Sequence, residues 1–362
     1  MLDMRDRPAG VTARPPYNEV REVANAGVPE LDTFLRRARF NADDPGSLGG
    51  VLAELIDHGF DRLAFPGGGR TLSRWQTLAT VAACDVGLVK LFEGHTDALA
   101  ILAELSGPTP PARSRWGVWA AEPPDVRVSA EALGGLRLRV SGVKAWCSGA
   151  NVVSHALITV WLDGEPVLAA VDMRQPSSIS IDTSHWRAVG MRATASADVS
   201  FDHALATRIG EPGAYVRRPG FWRGGAGIAA CWYGAAAALG QMLHDASAQR
   251  ADAHRLAHLG AVDVALSGAA AVLRETAARI DAHPRDDLQR EALRARLVVE
   301  AAANDVMTRV TRALGAGPLC RDARFARALA DLPVFLRQSH AERDLAALGE
   351  AILTTGDAAW TL

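Results

Sequence analysis

The pattern of apolar and polar positions divides the chain into three parts. Residues 18–106 carry apolar side chains at the 3.6-residue period of helices, as in Val51–Ile56. Between residues 116 and 201 the alternation has period two and is interrupted by turn signals such as Leu162–Glu165, which predicts a small β segment. After Pro219 the helical period returns and continues to the end of the chain.

These shifts predict an α+β protein of three domains. The expected domains are an N-terminal helical domain (18–110), a middle β domain (111–215) and a C-terminal helical bundle (216–362). The predicted strands are 116–121, 136–143, 152–160, 167–171 and 197–201. The predicted helices of the bundle are 224–249, 251–282, 286–314, 321–330 and 334–356.

Composition narrows the class of partner. The chain has 362 residues, is 49% hydrophobic and has a formal charge of −2, without a block of Lys and Arg. Such a chain is not expected to bind nucleic acid or a membrane surface, so the expected partners are small molecules and sister subunits. The four cysteines lie far apart, which predicts neither a disulfide framework nor a metal site. We expect a cytoplasmic protein, because the N-terminal residues contain no apolar signal segment.

The chemistry-bearing segment is Val140–Ala150, VSGVKAWCSGA, at the end of a predicted strand. Trp146 offers a broad stacking surface, and the hydroxyl of Ser148, two residues on, can bond the edge of a flat ring. This pattern favours a redox-cofactor site, whereas the structural alternative is a core tryptophan beside a turn serine. Cys147 alternates to the opposite face and is expected in the core.

Four motifs in order resemble the acyl-CoA dehydrogenase family over nearly the whole chain. They are the strand and turn around Trp146, the tract Trp119–Val126, the segment Gly190–Ala204 and the short Arg321–Arg324. The resemblance implies an N-terminal helical domain, a middle β-barrel or sandwich domain and a C-terminal four-helix bundle. It also implies a homodimer or a homotetramer.

The resemblance further implies FAD as the cofactor. Trp146 would then pack on the flavin, and Ser148 would bond near its N5 and O4 atoms. Ala121 and Glu122 fall in the family's T-E-P-x-x-G-S-D tract, where Asp125 is a further match. Arg312 could meet a pyrophosphate, although a solvated helix arginine is its ordinary role.

The chain departs from the family at the catalytic base. The glutamate that removes the substrate α-proton usually follows the arginine of the R-D motif by nine residues, and Ala330 occupies that place after Arg321. The other place used in the family, here Phe221–Gly234, contains no carboxylate. Asp331 is the nearest substitute base, and its alternative role is to cap the helix that follows.

Three further residues are candidate substrate contacts. Glu93 and His95 fall where the family lines the floor of its acyl pocket, with an exposed helix turn as the alternative. His340 lies on the last helix and could reach the site only if that helix packs across it.

The resemblance therefore implies an FAD-dependent oxidoreductase that dehydrogenates an acyl thioester of CoA or a carrier protein, or a related small acyl substrate. Shortened loops point to altered or lost CoA recognition, and the electron acceptor stays open. Because both usual glutamates are missing, two alternatives stay open: a flavin-dependent monooxygenase or oxidase on the same fold, and a non-catalytic scaffold protein.

Overall fold

The computed structural model describes residues 27–122, 126–355 and 360. Its elements follow the predicted order of helices, sheet and helices. The first helices are α1 (Val28–Arg37), α2 (Pro45–Asp57), α3 (Thr71–Cys84) and α4 (Val86–Glu104). The strands are β1 (Trp116–Trp119), β2 (Val128–Ala132), β3 (Arg137–Cys147), β4 (His155–Leu162), β5 (Glu165–Asp172), β6 (Ile179–Asp182) and β7 (Ala197–Ile209).

Seven helices follow the sheet. They are α5 (Ala214–Arg217), α6 (Gly220–Gln249), α7 (Ala253–Ala282), α8 (Gln289–Leu314), α9 (Ala316–Arg321), α10 (Ala323–Leu336) and α11 (Glu342–Thr355). The long helices α6, α7 and α8 pack on one another, α10 packs against α6, and α11 packs against α8. The predicted fold class is thereby confirmed.

Side-chain caps set where several helices begin. The Asp44 carboxylate accepts hydrogen bonds from the backbone N–H groups of Gly46 and Ser47 at the start of α2, and Asp85 does the same for Leu88 in α4. Each carboxylate satisfies donors that the first helical turn leaves without a partner.

The sheet closes into a small barrel. Neighbouring strands pair in the order β4, β2, β3, β7 and β5, and β5 pairs in turn with β4, which closes the barrel. Two further strands pair at the side of this ring: β1 pairs with β4, and β6 pairs with β7. The hairpin β4–β5 turns at Asp163 and Gly164, both with positive φ, as the turn signal in the sequence predicts. The barrel encloses an apolar cluster, and the buried Lys144 Nζ donates to the carbonyl and hydroxyl oxygens of Thr159.

The N-terminal helices and the bundle share one hydrophobic core. Helices α3 and α6 approach so closely that a Cβ atom on Gly234 would lie 2.2 Å from the carbonyl oxygen of Ala79. Only glycine allows that approach. A smaller apolar cluster joins α4 to the outer face of the barrel around Trp116 and Leu157.

The structure corrects two predictions of local structure. A helix break before residue 334 was predicted, but α10 continues through Pro333 to Leu336. The short strands β2 and β6 were not predicted, because each has few buried positions. The proposed domain borders stay predictions, and residues 18–26 of the first domain lie outside the described residues.

By length and composition alone, α6 and α7 are apolar enough to cross a membrane. Most of the apolar segment of α6 is buried inside the protein, whereas only 22% of that of α7 is buried. The apolar character of α6 is therefore explained by its place in the core of the bundle. Helix α7 instead has an apolar face that the described residues do not cover.

Candidate active site

Trp146 lies on a β-bulge at the end of β3. The register between β3 and β7 shifts between Lys144 and Cys147, and Trp146 takes a left-handed conformation with a φ of 61°. The bulge leaves Cys147 and Lys144 buried but turns the indole outward, so that Trp146 is 58% exposed. The core-tryptophan alternative is therefore wrong, while the prediction that Cys147 is in the core is confirmed.

A row of hydroxyl groups begins two residues after the indole. The Ser148 Oγ lies 3.0 Å from the Ser196 Oγ, which lies 3.0 Å from the Thr194 Oγ1. The turn is fixed by its backbone, because the Trp119 indole N–H donates to the carbonyl of Ser148 and the N–H of Gly149 donates to the carbonyl of Thr194. The exposed Trp146 indole and the half-buried Ser148 thus lie two residues apart at the end of β3, whereas Ser196 and Thr194, farther along the row, are buried.

Asp331 lies inside α10 and is not a helix cap. Its Oδ1 accepts a hydrogen bond from the backbone N–H of Met191, in the loop that leads to Thr194 and Ser196. Burial raises the pKa of Asp331 to about 6. The carboxyl can therefore exchange a proton near neutral pH, and it also ties the bundle to the barrel loop. Its role as a base stays a prediction.

Glu122 and Ala121 follow β1, on the same side of the barrel as Thr159. The Glu122 carboxylate accepts a hydrogen bond from the Trp161 indole N–H at 3.0 Å and lies 3.7 Å from the Lys144 Nζ. Burial lowers the pKa of Lys144, and the nearby Glu122 opposes that shift. Glu122 thus links the chain after β1 to Trp161 in β4 and to Lys144 in β3. Ala121 is exposed and has no polar side chain. Asp125 lies outside the described residues.

Glu93 and His95 point in different directions from α4. Both are buried, so the exposed-turn alternative is wrong. The Glu93 carboxylate accepts a hydrogen bond from the Lys90 Nζ at 3.1 Å, and burial raises the pKa of Glu93. Two residues along a helix lie on nearly opposite faces, so Glu93 and His95 point away from each other, and their role as substrate contacts stays a prediction.

His95 joins α4 to the start of β1. Its Nδ1 accepts a hydrogen bond from the backbone N–H of Trp116 at 3.3 Å, which leaves the proton on Nε2, 3.2 Å from the Asp61 Oδ2. Both ring nitrogens therefore have partners inside the protein. An open cavity of about 590 Å³ beside His95 and Asp61 lies on the side of α4 that faces the residue 110–114 linker.

The structure does not bring Arg312 and His340 to Trp146. Arg312 is exposed in the last turn of α8, a helix that packs against α6, α7 and α11. The His340 Nδ1 lies 3.3 Å from Asp344, whose carboxylate also accepts a hydrogen bond from the His340 backbone N–H at the start of α11. His340 thus takes part in a helix-capping arrangement.

Sequence reasoning missed Ser196 and Thr194. The two hydroxyls belong to the segment Gly190–Ala204, whose likeness to the family was noted without a role for its side chains.

The residues around Trp146 fit a flat, polar-edged cofactor such as a flavin. The Trp146 indole is exposed and free for stacking, and the Ser148 hydroxyl, two residues on, can donate to or accept from ring-edge atoms. Among the residues that the structure describes, no group of three or more His, Cys, Asp or Glu side chains is placed to hold a metal ion.

No protein family profile matches the chain, and no curated protein matches it. Solved structures do match its fold. Dibenzothiophene monooxygenase TdsC from Paenibacillus sp. A11-2, in complex with FMN and indole, has a TM-score of 0.73 at 17% identity, over 92% of this chain and 98% of that one. KijD3, in complex with FMN and a dTDP-linked sugar, has a TM-score of 0.72 at 18% identity, over 92% of each chain.

A third structure of similar fold is methanesulfinate monooxygenase MsuC from Pseudomonas fluorescens. It has a TM-score of 0.69 at 19% identity, over 90% of this chain and 97% of that one. At such identities these likenesses establish the fold and its extent, while the activity has to be argued from the residues.

Proposed function

Because the chain has the fold of acyl-CoA dehydrogenase-type flavoenzymes, we propose that it is a flavin-dependent oxidoreductase acting on a small organic substrate. The observation that carries this proposal is the exposed Trp146 indole beside the Ser148–Ser196 hydroxyl pair. A flat ring system stacked on this indole would cover its exposed face.

Within this class, a monooxygenase fits better than an acyl-thioester dehydrogenase. Dehydrogenation needs a carboxylate to remove the substrate α-proton, but Ala330 holds the usual place and the start of α6 has no acid. The nearest carboxylate, Asp331, is held by the backbone N–H of Met191. Two structures of similar fold are named as monooxygenases, which also supports this reaction type.

FMN is the cofactor that we propose within this class. TdsC and KijD3, two structures of similar fold, are complexes with FMN. The FAD that the resemblance implies would need contacts for a second nucleotide half. Arg312, the residue expected at a pyrophosphate, is exposed on a helix that packs within the bundle. Trp146 would hold one face of the ring, and the hydroxyls of Ser148 and Ser196 would bond its edge.

A bound reduced flavin would supply two electrons to O2, so that one oxygen atom enters the substrate and the other leaves as water. The residues of this chain would orient the ring, exclude water from its covered face and offer the Asp331 carboxyl for proton exchange near pH 6.

The test supplies the purified protein with FMN, a separate flavin reductase and isotopically labelled O2. Indole and methanesulfinate serve as first substrate probes, because structures of similar fold are named for them. Labelled oxygen in a product that requires the protein supports the proposal. Anaerobic bleaching of the bound flavin by butyryl-CoA would instead favour dehydrogenation, and a protein that binds no flavin would favour the scaffold alternative.

A further inference from the structure

The open cavity beside His95 lies outside the candidate cofactor face, because no residue of that face lines it. Its wall comes from three places: the end of α2 and the turn after it (56–62), one side of α4 at His95 and Leu99, and the linker 110–114 that leads into β1. Its volume of about 590 Å³ falls within the roughly 300–1,000 Å³ that is usual for small-molecule sites. The cavity is therefore large enough for a ligand of its own.

The linker side of the cavity is held in place by side-chain hydrogen bonds. The Arg113 guanidinium donates to both oxygens of Asp57, through Nε at 2.7 Å and through Nη2. The Ser114 Oγ donates to the carbonyl of Pro111 at 2.6 Å and accepts from the Trp116 indole N–H at 2.8 Å. The wall is thus formed in advance, and a ligand would not have to order it.

One carboxylate at this wall has no cation beside it. The Asp61 Oδ2 lies 3.2 Å from the His95 Nε2, and the Asp61 Oδ1 is buried without a hydrogen-bond partner. Because the His95 Nδ1 accepts from the backbone N–H of Trp116, the ring is neutral and cannot balance the charge. Over residues 27–122 and 126–355, no Lys or Arg nitrogen lies within 4.0 Å of this carboxylate.

The surroundings of Asp61 lack a positive charge. Its side chain is only 12% exposed, and a carboxylate withdrawn from water is costly unless a cation is paired with it. The charge of Arg113 is already balanced by Asp57, and Arg62 is exposed to solvent, which screens its charge. A cationic group bound in the cavity would therefore be stabilised by Asp61.

The rest of the wall offers apolar contacts. Leu99 follows His95 by one helical turn and lies on the same side of α4. Leu99, Ile56 and Pro110 are half-buried, so each keeps apolar surface that a hydrocarbon group could cover. One negative group in a mostly apolar wall suits a molecule with one positive group and an apolar body.

We propose that this cavity binds a small organic ammonium ion, an amine with an aromatic or branched hydrocarbon body. The ammonium supplies the charge that Asp61 lacks, and the body lies against Leu99 and the linker. Because rotation about the Cβ–Cγ bond of an aspartate is soft, either carboxylate oxygen can turn to the ligand. The inference does not depend on the proposed function, since neither a flavin nor a reaction enters it.

Isothermal titration calorimetry at pH 7 with phenethylamine tests the site. The matched probes are 2-phenylethanol, which is neutral, and 3-phenylpropionate, which is an anion. Wild type should bind the amine at least tenfold more tightly than either. Asp61→Asn keeps an acceptor for His95 but removes the charge, so it should weaken amine binding at least tenfold. Ala112→Lys adds a cation at an exposed position of the linker and should weaken it severalfold.

The control Asp202→Asn removes an exposed carboxylate of the barrel and should bind the amine as wild type does. Hydrogen–deuterium exchange gives the location, because the bound amine should slow exchange in the linker 107–115 of wild type and not of Asp61→Asn. A protein that binds the amine through Asp61 but binds no flavin would leave this site standing and remove the proposed function.

Three results would overturn the proposal. They are a wild type that does not bind phenethylamine at millimolar concentration, equal affinities for the amine and the alcohol, and an unchanged amine affinity in Asp61→Asn. If Asp61→Asn does not fold, an unchanged affinity in Ala112→Lys overturns it instead. Slower exchange around Trp146 without any change in the linker would also contradict it, because the amine would then occupy the cofactor face.

Discussion

The Asp331 carboxylate accepts a hydrogen bond from the backbone N–H of Met191, so an acid of the bundle holds a loop of the barrel. That loop continues to Thr194 and Ser196, whose hydroxyls complete the row that starts at Ser148. The position of the candidate cofactor face therefore depends on a contact between two domains of the fold.

The raised pKa of Asp331 predicts a pH-dependent stability. Its folded-state pKa of about 6 lies above the unfolded value of roughly 3.9, so the folded state holds the proton more tightly. The contribution of this group is fully present below about pH 4 and is lost as pH rises through about 6. Urea unfolding between these pH values should show wild type losing stability relative to Asp331→Asn as pH rises, because the other titrating groups are common to both proteins. Parallel curves for the two proteins would contradict the assignment.

The same pair of residues gives a prediction at fixed pH. In Asp331→Asn the amide oxygen can still accept from Met191, whereas Asp331→Ala leaves a buried N–H without a partner. We expect Asp331→Ala to lower the free energy of unfolding by about 1–3 kcal/mol relative to Asp331→Asn. If both variants fold equally well but Asp331→Asn turns over slowly, the carboxyl acts in proton transfer as well as in structure.

Gly190, in the loop between β6 and β7, is predicted not to tolerate a side chain. A Cβ atom there would lie 1.9 Å from the carbonyl oxygen of Ala330, so Gly190→Ala must push the loop away from α10. We expect a loss of roughly 1–3 kcal/mol or more in the free energy of unfolding. The control, Gly349→Ala, lies in α11 with nothing within 4 Å and should be neutral or stabilising. Chemical denaturation of both variants decides the point.

His95 is predicted to be structural. In His95→Leu, the Trp116 N–H and the Asp61 carboxylate both lose a partner inside the protein, which should cost about 1–3 kcal/mol of stability. The control, His203→Leu, changes an exposed side chain and should have little effect. A stable His95→Leu variant with an altered KM would instead return His95 to the substrate site that the sequence suggested.

The sequence predicts the order and type of the large elements because their patterns are local. The Asp163–Gly164 hairpin and the long helices α6–α8 follow directly from turn chemistry and helical period. Helix α10 was missed across Pro333 because its continuation depends on distant contacts. Phe335 packs on Trp232, and Asp331 is tied to Met191.

The candidate site, too, depends on contacts between distant residues that the sequence does not reveal. The motif around Trp146 predicts an indole and a hydroxyl close together, but only the pairing of β3 with β7 creates the bulge that exposes the indole. The resemblance placed Glu93 and His95 in one pocket, yet the helix separates their faces.

Ser148 should contribute to cofactor affinity through one hydrogen bond. Loss of a bond worth about 0.5–1.5 kcal/mol predicts a two- to tenfold weaker affinity for FMN in Ser148→Ala, with Ser148→Thr close to wild type. Flavin fluorescence titration measures the change. An unchanged Kd in Ser148→Ala would place the ring edge away from this hydroxyl row.

The most direct measurement is a titration of the purified protein with FMN, oxidised and reduced, compared with Trp146→Ala. Aromatic stacking worth about 0.5–1.5 kcal/mol predicts saturable binding by wild type and a Kd up to about tenfold higher in Trp146→Ala. Leu205→Ala, an exposed change on the same barrel, should bind as wild type does. Wild-type protein that binds neither FMN nor FAD in either redox state, or an unchanged Kd in Trp146→Ala, would contradict the account.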